Sequence, residues 1–206
     1  SGTFREHLEA LPAPARQRAE GWMKRFSFPP EDLASLRADA EGGVFYADAF
    51  PLPSAADVST LAALEESTVV PASPYPGALE FHSLKGSTNV IFLDFDGATV
   101  KDTAWNVMLG RTTIQAVSFS LDQDFLSFSE DEQIAITRIW QRVAEDFAPF
   151  DVDVTTVAPS NFNHRTAHIL ITRSRDQSGR ANPSSSSGGI SYVGVFGQEN
   201  YAYFRP

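Results

Sequence analysis

The 206-residue chain contains no cysteine. Disulfide frameworks, thiolate metal sites, a cysteine nucleophile and a thiol-based latency switch are therefore excluded. Histidine is scarce too, with only His7, His82, His164 and His168. The last two stand four residues apart, but Asn163–Thr166 reads as loop and Ala167–Thr172 as strand, so no shared helix face aligns them for a metal. No apolar run approaches the ~20 residues that cross a bilayer; the longest, Asn89–Phe95, is strand-sized. A net charge of −10 leaves no basic stripe to track a phosphate backbone. Neither a membrane span nor a nucleic-acid partner is expected. Ser1 opens no signal-peptide pattern, a feature that mature secreted chains and cytosolic chains share. What remains, 42% hydrophobic and 20% charged residues, is enough to build a core.

Three stretches follow one another. Residues 1–50 read as a small helical unit. Pro12 and Pro14 open a helix running to about Phe26, and Pro29 with Pro30 ends it. A second helix is predicted over about Glu31–Ala40 from Leu33 and Leu36, stopped by Gly42 and Gly43. An extended aromatic segment, Val44–Phe50, follows. Such a unit has little core of its own and must lean on something larger. Residues 51–88 read as a linker rich in proline and small residues, with one short helix around Ala55–Glu66 and an exposed maturation site around His82–Ser87. Residues 89–206 read as α/β. Val90–Phe95 suits a strand covered on both faces. Ser129 and Glu132 form a capping box, and Ile136, Ile139, Trp140, Val143 and Phe147 mark one helix face. Asp151–Val157 and Ala167–Thr172 read as strands, Ser184–Gly189 as a loop, and Ile190–Phe196 as a last strand with Gly194 inside it. The charges do not draw the parts together. Residues 1–85 carry 7 basic and 12 acidic groups, and residues 86–206 carry 9 and 14. Docking between them must be local and apolar.

Two motifs carry chemistry. Val90–Gly97 is an apolar strand ending in D-x-D-G, and it resembles the first motif of haloacid dehalogenase-type phosphatases; Ile169–Thr172 resembles their second. That resemblance implies Asp94 as nucleophile and Asp96 as acid/base beside magnesium. No lysine follows Lys101 and no adjacent carboxylate pair follows Thr172, so the rest of such a site is missing here. The plain alternative is that Asp94 and Asp96 shape a strand-to-loop turn. A calcium site at Asp94 and Asp96, or at Asp122 and Asp124, is a further option, although neither spacing is that of an EF-hand.

The second signal is longer. Ile139–Thr156 (IWQRVAEDFAPFDVDVTT), Gly188–Phe196 (GGISYVGVF), LDFDG at Leu93–Gly97 and TAWN at Thr103–Asn106 together resemble bacterial secreted reprolysin-like zinc metallopeptidases of the metzincin clan. The resemblance covers about residues 82–206. It implies an α/β (α+β) fold: a helical prosegment (1–50), a linker (51–88), and the N-terminal part of a mixed-sheet metzincin-like upper subdomain (89–206) that is incomplete at its C-terminus. It further implies a zymogen, secreted or periplasmic, that hydrolyses peptide bonds. The H-E-x-x-H-x-x-G-x-x-H motif does not occur in these 206 residues. The three Zn2+ ligands and the general-base glutamate are therefore expected on a downstream portion, which would be this chain's partner, covalently joined or as a second polypeptide. No catalytic residue is assigned here. The edge strand, through Gly189, Ile190, Ser191, Tyr192, Val193 and Gly194, is expected to pair with an extended peptide or protein substrate. Asp48, set among aromatic rings that could anchor it in the cleft, is the candidate for a carboxylate that blocks the zinc. A third reading is a non-catalytic peptide-binding module.

Overall fold

The computed structural model describes residues 2–49, 79–183 and 187–206. Its helices are α1 (Gly2–Ala10), α2 (Ala13–Met23), α3 (Ala104–Leu109) and α4 (Glu130–Asp146). Its strands are β1 (Leu36–Ala38), β2 (Val44–Ala49), β3 (Val90–Asp94), β4 (Thr99–Val100), β5 (Ile114–Gln115), β6 (Asp153–Thr155), β7 (Thr166–Leu170) and β8 (Ser187–Tyr192). The helix predicted around Ala55–Glu66 lies outside the described residues, as do Ser184–Ser186 of the predicted loop. None of the described helices is long and apolar enough to cross a membrane.

The apolar run that starts at Val90 becomes the centre of a parallel sheet ordered β6-β3-β7. Both ladders register on Val90, against Asp153 on one side and Thr166 on the other. Parallel neighbours need a crossover, and α4 supplies it between β3 and β6. The apolar face of α4 explains its seat. Ile136 is fully buried, and Ile139, Trp140 and Val143 pack with it against Phe81, Ile91, Leu93, Val152 and Val154. Trp140 Nε1 donates to the Val154 carbonyl at 2.8 Å, fixing helix to sheet. At its start, Glu132 accepts from the backbone N–H of Leu121 (2.6 Å) and of Ser129 (2.8 Å). These donors hold its carboxyl down to about 2.

A second, antiparallel sheet runs β1-β2-β8. The helix predicted over residues 31–40 does not form. Asp32–Ala34 makes a short 3-10 turn, and Leu36–Ala38 is β1. Two leucines three apart fit either state, and the partner strand decides. Gly42 and Gly43 close the β1–β2 hairpin instead of capping a helix. Asp39 accepts from the N–H groups of Glu41 and Gly43 there, at 2.9 and 2.8 Å. Gly42 sits at φ +87°, with the Ala15 backbone where a side chain would go, so only glycine fits. Helix α1 had no clear signal; its Phe4 packs with Ala19, Leu36 and Val44 in a small core.

Residues 79–88, read from composition as linker, are packed. Phe81 is in the core beneath α4, with its ring 4.9 Å from that of Trp140. The His82–Ser87 stretch is not a free loop either. His82 Nδ1 meets Asp153 Oδ2 at 2.7 Å, Leu84 N donates to Asp153 Oδ1, and Ser83 bonds Val154 through both its backbone N–H and its hydroxyl. Leu84 and Lys85 keep their exposure. The segment extends the edge beside β6, which low hydrophobicity in the sequence concealed.

The last strand also differs from expectation. It spans Ser187–Tyr192, so the two glycines placed in a loop are strand residues. Gly194 lies beyond it in a turn at φ +69°, against the ring of Phe26. A small third sheet, β4-β5, flanks α3. Within TAWN, Asn106 Oδ1 accepts from the Thr103 N–H and hydroxyl, and its Nδ2 donates to the Val100 carbonyl. These bonds fix α3 and seat the buried Trp105.

Candidate functional site

Of the residues assigned to the peptide rail, Gly189, Ile190, Ser191 and Tyr192 lie in β8, and their partner is already present. Strand β2 runs antiparallel along them, with Phe45 opposite Tyr192, Tyr46 opposite Ser191, Ala47 opposite Ile190 and Asp48 opposite Gly189. Val193 continues the clasp beyond the strand. Its N–H donates to the Val44 carbonyl, and its own carbonyl accepts from Trp22 Nε1 at 2.8 Å. Both of its backbone groups are thus held by the first 50 residues.

Strand alternation sorts the side chains of β2. Phe45 and Ala47 face a core cluster whose other buried members are Val100, Ala104, Trp105, Ile114 and Tyr192. The Phe45 ring meets Tyr192 and Trp105 edge-on at 5.6 and 6.4 Å. Phe204 closes the far side of Tyr192 at 4.9 Å. Tyr46 points the other way, onto Phe28, with its hydroxyl donating to Asp32. Tyr192 donates its hydroxyl to Asp39 Oδ2 at 2.8 Å. Burial, and then this carboxylate neighbour, push the phenol well above its usual range, so it stays a neutral donor.

Asp48 is exposed near the end of β2, where the register with β8 slips between it and Ala49. The ring anchoring the segment is Phe45, three residues before it; Phe50 lies outside the described residues.

Asp94 and Asp96 flank the turn that leaves β3. Asp94 is buried at the end of β3. Its Oδ1 accepts from the Asp96 N–H at 3.0 Å, and its Oδ2 meets His168 Nε2 at 2.7 Å. The imidazole stacks on Phe92 at 5.3 Å. Desolvation, and then Asp94, raise the Asp96 carboxyl. Gly97 follows at φ +82°, with the Ala116–Ser118 backbone in the place of a side chain. Each oxygen of Asp94 thus has one partner, Oδ1 in the turn and Oδ2 on the neighbouring strand. His164 is exposed, in the loop before β7. Asp122 and Asp124 are taken by the donors of their own loop, from Ser120 to Ser127. Among the described residues, no three His, Asp or Glu side chains are grouped to hold a metal.

Between β7 and β8 lies a cleft of about 1020 Å³. Each strand is paired on one side only among the described residues, β7 with β3 and β8 with β2. Phe147, Phe150, Ile169 and Phe196 line the cleft and keep 39%, 61%, 42% and 43% of their surface exposed. Patches of this kind mark a surface that something covers.

The described residues thus define an α+β protein whose N-terminal segment completes an antiparallel sheet. No family model, curated protein or solved structure matches the chain. Three contributors to the edge, Trp22, Asp39 and Phe45, carried no motif of their own. Phe45 had the only local signal, as an aromatic in an extended run.

Proposed function

We propose that this chain is the latency-bearing N-terminal portion of a secreted zinc endopeptidase. In this reading β8 is the rail for an extended peptide substrate, and β2 holds that rail until residues 1–50 are removed. The observation that carries it is the antiparallel β2–β8 ladder, since the segment expected to block the cleft lies on the strand expected to bind substrate. The rail binds through backbone N–H and C=O groups, which gives affinity without demanding one sequence. The apolar cleft between β7 and β8 supports a downstream portion that packs there. Under this reading the zinc ligands belong to the downstream portion, and this chain's own residues bind and orient the peptide. Asp48, exposed and opposite Gly189, would in this reading be the carboxylate that blocks the metal.

The test is intact-mass analysis of the native protein, with zinc quantified and peptide hydrolysis assayed on the same sample. Near-stoichiometric zinc, with hydrolysis that rises when residues 1–50 are removed, supports the reading. Native protein without zinc and without hydrolysis after that removal overturns it.

A further inference from the structure

The β2–β8 ladder says that a peptide strand binds this edge, and the side chains beside it say which one. Phe45 is the one buried member of its cluster that comes from residues before Val100. It is a plug in another unit's core. The socket walls are Trp105 from α3 and Tyr192 from β8, and Phe204 from the C-terminal 3-10 turn backs Tyr192. Trp105 is itself held to that turn, its Nε1 donating to the Phe204 carbonyl at 3.1 Å. Rings from three elements, with Trp105 bound to the Phe204 carbonyl, make the receptor for one aromatic side chain.

We infer that this socket is a specificity site, and that the occupant of the β8 edge is an extended peptide with an aromatic residue opposite Tyr192 and a small one opposite Ile190. The small residue follows from Ala47, which shares the Phe45 face and packs partly buried on the same cluster. The intervening residue, Tyr46 in β2, faces away and is free to vary. The pattern is aromatic, any, small, running antiparallel to β8. This inference rests on the reading of β8 as a peptide rail, but not on zinc or on hydrolysis.

The test uses the full chain. Phe45→Ala empties the socket, and hydrogen exchange reads the amides of Gly189–Val193. The account expects faster exchange there in the variant. It expects added peptide Val-Phe-Tyr-Ala-Asp-Ala to restore protection. The same peptide with alanine for phenylalanine should bind about tenfold or more weakly, from the lost aromatic burial. Alanine in place of tyrosine should leave affinity within about threefold, since the contacts of Tyr46 are with Phe28 and Asp32 of its own segment and not with the socket. Equal restoration by the first two peptides, or by none, overturns the socket. If Phe45→Ala does not fold, the wild-type chain opened at a protease site inserted between Ser67 and Thr68 serves instead, with the same peptides competing against the released fragment. The readouts need no metal. Failure of the zinc reading therefore leaves the peptide ranking intact, and hydrolysis without that ranking removes only the socket.

Discussion

Phe45 joins the first 50 residues to the rest of the molecule more firmly than any charge does. Both parts carry an excess of acid, and no ion pair links β2 to β8 among the described contacts. A buried ring meeting two others edge-on supplies what electrostatics cannot. Phe45→Ala should cost about 3–5 kcal/mol in urea unfolding, the usual range for a buried aromatic truncated to alanine. Glu132 is a second decisive residue. Its carboxyl is lowered from 4.5 to about 2 by the Leu121 and Ser129 N–H donors. A depressed folded-state value means the stabilisation is complete above about 4.5 and is lost as pH falls toward about 2. Glu132→Gln should therefore lower the melting temperature at pH 7 and flatten its fall between those two values, as read by calorimetry across pH. An unchanged acid slope in the variant would show that other carboxylates set it.

Helix α4 and the parallel sheet it crosses are built from local signals. Ser129→Ala removes one half of the cap and should destabilise by about 1 kcal/mol, measured by chemical denaturation. The same locality made these elements legible in the sequence. A 3.6-residue apolar stripe, a capping box and three Val/Ile/Thr-rich runs each announce themselves within a short window. The antiparallel sheet was not legible in that way. Strand β1 depends on β2, and β2 pairs with a strand about 140 residues away, as Phe45 opposite Tyr192 illustrates. Nothing local distinguishes Leu33 and Leu36 in a helix from the same pair entering a hairpin. The His168–Asp94 contact was hidden for a similar reason, because parallel register places His168 beside Phe92 without any mark in either segment. Phe81 was masked by its polar, proline-rich surroundings. A last strand was legible around Ile190–Phe196, but its partner β2 was legible only as an aromatic segment that needed a surface to lean on.

At the largest scale, the described residues form a parallel sheet with its crossover helix, an antiparallel sheet completed by the N-terminal segment, a small β4-β5 sheet, and an apolar cleft between β7 and β8. The ladder couples the fate of residues 1–50 to the state of β8. Cutting the chain between the two parts should not by itself free the edge, because Trp22, Asp39 and Phe45 each hold it independently of the connection. Release should follow only when the N-terminal fragment dissociates, so its rate should depend on dilution and on Trp22. Trp22→Phe removes the bond to the Val193 carbonyl, worth about 1 kcal/mol, and should speed dissociation about fivefold. The measurement that tests the central claim most directly follows peptide hydrolysis and loss of the 1–50 fragment together, in the native protein supplied with zinc, after cleavage between the two parts. The account predicts that hydrolysis appears with fragment departure, not with the cut, and that added fragment suppresses it again. Full hydrolysis while residues 1–50 remain bound would contradict it.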